Sequence, residues 1–167
     1  MVLIALIFAL AAVMILIWLS IIDLKIFLLP NKLVAAFALC GIAFHMALFF
    51  ELLSPHEIVF GGLMGFWCLY IISMIANWAY GQDALGLGDV KLLGAGGLWL
   101  GVDGILLGMS IGALFGLLHG LVIAVHRAQT TNTKLNLTML QIPAGPGFAA
   151  GLVCVGVYLF HDIIWLL

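Results

Sequence analysis

Charge is what this sequence has least of. Charged side chains make up 7% of its 167 residues, five Lys or Arg and seven Asp or Glu. An ordinary soluble domain carries about 25%. So few cations leave no basic patch for nucleic acid, and no nucleic-acid partner is expected. Cysteine is scarce too. Cys40, Cys68 and Cys154 each lie in an apolar run and form no CxxC pair. That pattern indicates neither a zinc site nor a redox motif, and the three read as small buried hydrophobes. No two of His45, His56, His119, His126 and His161 have metal-ligand spacing, so no metal and no cofactor is expected. Ser20, Ser54, Ser73 and Ser110 lack a base at motif spacing, which argues against a serine nucleophile. No Lys or Arg precedes Lys25. The first apolar run, Val2 to Ile22, exceeds the core of a signal peptide, so it is expected to stay as a helix.

What is present is apolar length. Hydrophobic residues are 66% of the chain, and the mean hydropathy is +1.37. The runs are continuous rather than alternating, which argues against a membrane β-barrel. Several approach the roughly 20 residues that a spanning helix needs. The expected fold is all-α: one polytopic membrane domain over 1–167, with six transmembrane helices near 2–22, 33–51, 57–80, 89–102, 104–126 and 143–166. Pro30, Pro55 and the Asp103-Gly104 pair supply the expected breaks.

Six crossings sort the charges. Lys25, Lys32, Lys91, Arg127 and Lys134 fall on one side, while Glu51, Glu57, Asp103 and Asp162 fall on the other. The positive-inside rule makes the first side cytoplasmic and places both termini opposite. The same parity brings Asp23, ending the first helix, and Asp89, opening the fourth, to one membrane face. The fourth run would span only about 21 Å at about 1.5 Å per residue, against about 30 Å of hydrocarbon. Asp89 is therefore expected below the membrane surface, behind the flexible Gly86 and Gly88, in a wet notch. The fifth helix carries a ladder, Gly104, Gly108, Gly112, Gly116 and Gly120. Small residues at this spacing admit a close neighbour. The fourth helix, with Gly97 and Gly101, is the expected one, ahead of a second copy of the chain.

A carboxylate in a membrane helix is costly and marks function by default. Two that meet in a low-dielectric pocket share one proton and titrate together. The ionised member can take a proton from water while the other polarises a carbonyl, as in aspartic proteases. The plain alternatives are an interfacial helix-end acid for Asp23 and a first-turn helix acid for Asp89. A small transporter or proton pathway would also use intramembrane acids. Lys91, two residues past Asp89, points to a different helical face. It is either an anchor reaching the headgroups or a partner of the acids or the substrate.

Three segments resemble the type IV prepilin peptidases, the GxGD-type membrane aspartic proteases. Asp23-Leu24-Lys25-Ile26-Phe27-Leu28-Leu29-Pro30-Asn31 resembles the family's first-aspartate motif. Gly86-Leu87-Gly88-Asp89-Val90-Lys91-Leu92-Leu93 is similar to its GxGD motif. Ile142-Pro143-Ala144-Gly145-Pro146-Gly147-Phe148-Ala149 is similar to its Pro-Phe-Gly-Pro segment. The resemblance implies a bacterial inner-membrane endopeptidase that cuts the basic leader from prepilins or pseudopilins on the cytoplasmic side. It implies Asp23 and Asp89 as the catalytic pair, with Gly86, Gly88, Lys91, Pro30 and Asn31 in support. Pro143, Gly145 and Pro146 would form a substrate-binding edge, and Asp83 could meet the basic leader. Longer members carry CxxC motifs in a cytoplasmic insertion and also N-methylate the product. With no CxxC here, the peptidase carries over and the methyl transfer does not.

Overall fold

The computed structural model describes residues 1–80, 85–131 and 143–165. Asp83 and Lys134 lie outside the described residues. The described residues form five helices: α1 (Val2–Ile26), α2 (Asn31–Ala47), α3 (Pro55–Tyr80), α4 (Leu87–Thr131) and α5 (Gly145–Trp165). Among the described residues there is no strand. By length and composition α1, α3 and α4 can cross a membrane, while α2 and α5 are shorter apolar helices. Leu3, Ile7, Leu10, Trp18, Trp78, Leu117 and Val122 are large, apolar and exposed. A water-soluble chain rarely exposes so much contiguous apolar surface; a bilayer receives it without cost.

The helix ends follow backbone chemistry more than polarity. α1 does not stop at the polar stretch Asp23-Leu24-Lys25 but continues to Ile26. All three of those residues tolerate a helix interior. The stop comes at Phe27, left-handed at φ 54, whose N–H still donates to Asp23 O at 2.9 Å. Pro30 then caps α2. At its far end α2 stops at Ala47 rather than running to residue 51, because Phe49 and Phe50 turn left-handed at φ 52 and 57. Phe50 N–H donates to His45 O at 2.9 Å and closes that end. α3 opens with a capping box. Ser54 N–H reaches Glu57 Oε2 at 2.8 Å, and Glu57 N–H reaches Ser54 Oγ at 3.4 Å.

α4 holds the expected fourth and fifth runs as two arms and moves the break between them. It is one element broken at Gly101, not at Asp103-Gly104. Gly101 has φ 68 and ψ −171, a conformation essentially reserved for glycine. The chain reverses there. A Cβ on Gly65 of α3 would meet both Leu93 O and Ile105 Cγ1. In an unbroken helix those two residues would lie about 18 Å apart along the axis. The arm 87–100 therefore packs against the arm 102–131, and Val90, Leu92, Leu93, Ala95, Trp99 and Leu100 are buried at the centre of the bundle.

The glycine ladder meets the expected first arm only through Leu100, beside Gly104 and Gly108, and its close backbone partner is α5. Gly108 and Gly112 approach Gly151, Phe148 and Gly147 of α5, and Gly104 lies beside Leu159 of α5. Gly97 of the first arm packs on Gly61 of α3, backbone to backbone. The reason is complementary small faces: Gly61, Gly62 and Gly65 on α3 take the first arm, leaving Gly147 and Gly151 on α5 to take the second.

A polar tie crosses this apolar interior. Trp99 Nε1–H donates to Phe37 O at 2.9 Å, and His45 Nε2 lies 3.0 Å from Trp99 O. Phe37 stacks on Trp99 with ring centroids 5.6 Å apart. These contacts hold α2 against the first arm of α4.

Candidate active site

Asp23 sits in the last turn of α1 and Asp89 in the first turn of α4. Both are buried, at 5% and 8% exposure. Acids are almost never this buried without partners, so their surroundings are informative.

Asp23 has a partner. The Gly145 N–H, at the start of α5, donates to its Oδ2 at 2.9 Å. A helix start offers unpaired N–H groups that suit a carboxylate. A Cβ on Gly145 would stand 2.7 Å from Oδ2 and 3.1 Å from Cγ. Only glycine lets the backbone come this close, so Gly145 holds an acid.

Asp89 is delivered by the glycines before it. Its own N–H donates to Gly86 O at 3.1 Å and starts α4. A Cβ on Gly88 would stand 3.0 Å from Leu29 Cβ. Without one, the link from α1 to α2 packs directly on the start of α4. That packing draws the end of α1 and the start of α4 together. Both carboxyls therefore stand at the same end of the bundle. Asp89 Oδ1 is buried and has no hydrogen-bond partner among the described residues. Among the described residues only His45 Nδ1 shares that condition. A buried unsatisfied carboxyl oxygen asks for an explanation, and a reacting centre is one.

The other expected residues are nearby in chain but less engaged. Lys91 is exposed and donates to Asn31 Oδ1 at 3.0 Å, tying α4 to the first residue of α2. Among the described residues it pairs with neither acid. Lys91 and Asn31 stand at one end of a groove of about 520 Å³, which continues past Val34, Ala38, Phe66 and Leu98. Pro30 is the half-buried cap of α2. Pro143 is buried, and Pro146 is half-buried in the first turn of α5, where a missing N–H does no harm. No group of three or more His, Cys, Asp or Glu stands together among the described residues.

Sequence reasoning missed two residues. Ser73 Oγ–H donates to Leu85 O at 3.1 Å, and Asn77 Oδ1 accepts from Leu85 N–H at 3.4 Å. The available signal was their rarity. They are the only Ser, Thr, Asn or Gln in α3, and they share a face four residues apart.

No solved structure matches this chain. It is 34% identical over 117 residues to a prepilin leader peptidase/N-methyltransferase of Pectobacterium carotovorum, covering 70% of this chain and 41% of that protein. It is 30% identical over 137 residues to the protein of that name from Escherichia coli K12, covering 80% and 55%. With the Pseudomonas aeruginosa protein of that name it shares 30% identity over 131 residues, covering 78% and 42%. The chain thus spans about half the length of the curated relatives it matches. Residues 10–121 match the model of the type IV leader peptidase family. That stretch holds Asp23, Pro30, Asn31, Gly86, Gly88, Asp89 and Lys91, and it ends before Pro143. On a match of this extent, the chain belongs to the type IV leader peptidase family.

Proposed function

We propose that this chain is an aspartic endopeptidase of the bacterial inner membrane, and that it removes the basic leader from prepilins or pseudopilins. Asp23 and Asp89 are its catalytic pair. The observation that carries the reading is two buried carboxyls, one ending α1 and one opening α4, at elements that the Leu29–Gly88 packing draws together. The names of the relatives support the substrate class.

The chemistry rests on the pair sharing one proton. The ionised carboxylate takes a proton from a water, whose oxygen attacks the scissile carbonyl carbon. The protonated carboxyl hydrogen-bonds the carbonyl oxygen as it gains charge. The tetrahedral intermediate then collapses. The C–N bond breaks, and a proton passes from the pair to the departing amine. Asp23 Oδ2 is already occupied by Gly145 N–H, while the buried Asp89 Oδ1 has no partner among the described residues and is left for the water or the carbonyl of the substrate. Lys91 and Asn31, at the end of the groove, and Pro143 and Pro146, near Gly145, form the edges over which the peptide enters.

In this reading the two arms of α4 cross separately, making six crossings in a GxGD-type bundle. Lys25, Lys32 and Lys91 face the cytoplasm with the active site, and both termini are periplasmic. One copy of the chain suffices, because α5 covers Gly108 and Gly112 of the ladder. Methyl transfer is not proposed for a chain without a CxxC pair.

The test is cleavage of a tagged prepilin in membranes carrying the wild type, Asp23→Asn or Asp89→Asn. Each variant should insert normally and lose about 10²–10⁴-fold in rate. Full activity in either one removes the dyad. Acid-dependent proton flux in liposomes, with prepilin left intact, would favour a transport function instead.

A further inference from the structure

Asp89 is aimed by a loop, and that loop is held by α3. Both backbone polar groups of Leu85 are satisfied by side chains one helical turn apart. Ser73 Oγ–H donates to Leu85 O at 3.1 Å, and Leu85 N–H donates to Asn77 Oδ1 at 3.4 Å. Ser73 is buried at 2% exposure, and Asn77 and Leu85 are half-buried. Non-helical backbone at membrane depth survives only where the protein satisfies its polar groups. Leu85 lies just outside α4, so its groups have no ladder of their own.

The hold on Leu85 reaches Asp89 through Gly86, the next residue, whose carbonyl accepts the Asp89 N–H at 3.1 Å. Glycine has the widest backbone freedom of any residue. With Leu85 released, Gly86 could swing, and the first turn of α4 would no longer fix the direction of the Asp89 carboxyl. A Cβ on Gly86 would stand 3.5 Å from Asp89 Oδ2, so the loop backbone and the carboxyl are already in contact range.

We propose that Ser73 and Asn77 are positioning residues for Asp89. Through the backbone of Leu85 and Gly86 they set where the Asp89 carboxyl stands relative to Asp23. They touch neither acid. The inference rests on reading Asp89 as half of the catalytic pair.

The test uses the full chain in nanodiscs, with prepilin as substrate. Ser73→Ala removes the hydroxyl, Ser73→Thr keeps it, and Asn77→Ala is the second, independent release. Misplacing a reacting group by about 1 Å costs about 10²-fold. Ser73→Ala and Asn77→Ala should therefore lower kcat by about 10–100-fold with KM nearly unchanged, and Ser73→Thr should restore most of it. Amide exchange over residues 85–89 should quicken in both Ala variants and not in Ser73→Thr. Unchanged kcat in both Ala variants overturns the proposal. So does a loss that Ser73→Thr fails to restore, since that marks packing rather than the hydroxyl. If the wild type cleaves no prepilin, the peptidase reading fails on its own. Amide exchange then decides the clamp alone: faster exchange in the Ala variants supports it, and unchanged exchange overturns it.

Discussion

Gly145 N–H donates to Asp23 Oδ2 at 2.9 Å, across 122 positions of the sequence. This one bond joins the first helix to the last. It also places the start of α5 beside an acid that is 5% exposed. Among the described residues the second acid, Asp89, receives no comparable donor at Oδ1. The two carboxyls are thus unequal, one anchored and one buried with an oxygen unpaired among the described residues.

Gly145→Ala should separate anchoring from folding. The added methyl would stand 2.7 Å from Asp23 Oδ2, closer than ordinary contact, so the carboxyl must move. A displacement of about 1 Å at a reacting group predicts about a 10²-fold loss of prepilin cleavage. Membrane insertion should be normal, because Gly145 lies at the start of its helix. Cleavage at the wild-type rate would show that the Asp23–Gly145 contact has no part in activity.

Gly101→Ala should destabilise the bundle without touching either acid. The φ of 68 with ψ −171 is open to glycine and strained for alanine, at a cost of about 1–3 kcal/mol. Gly116→Ala is the internal comparison, since a Cβ there meets nothing within 4 Å. In a helix that change is neutral or stabilising by up to about 1 kcal/mol. Thermal unfolding in detergent should order the variants with Gly101→Ala lowest. Equal midpoints would contradict a glycine-dependent reversal in α4.

Trp99 and Gly41 should behave as a coupled pair. Trp99→Phe removes the N–H that reaches Phe37 O, a loss of about 0.5–1.5 kcal/mol. Gly41→Ala places a methyl 2.7 Å from the Trp99 ring, and overpacking of this kind costs about 1–3 kcal/mol. The smaller Phe relieves that clash, so the double variant should be less destabilised than the sum of the singles. Additive unfolding free energies would mean that the two do not share the same space.

Much of this arrangement was legible along the chain because apolar runs leave few choices. A run with no polar relief must satisfy its backbone internally, and in a bilayer that means a helix. The two acids stood out for the same reason: few other charges interrupt those runs. The helix ends were less legible. Asp23-Leu24-Lys25 looks like a stop by polarity, yet a helix stops where φ changes sign, here at Phe27. The reversal in α4 was expected at Asp103-Gly104 and occurs at Gly101, since neighbouring glycine positions are nearly equivalent until packing chooses among them.

What the sequence alone determined is the material: helices, a bilayer as their solvent, and two scarce carboxyls at helix ends. What only the tertiary structure decided is pairing. Gly97 and Gly108 carry the same local signal, but one packs on Gly61 and the other on Gly151. Glycine has no side chain with which to name its neighbour, so the complementary surface elsewhere in the chain makes the choice. For the same reason nothing local to Gly145, Ser73 or Asn77 foretold that one would grip Asp23 and the others the loop before Asp89. Hydrogen bonds between distant segments depend on where the folded chain brings its backbone, and no stretch of sequence records that by itself.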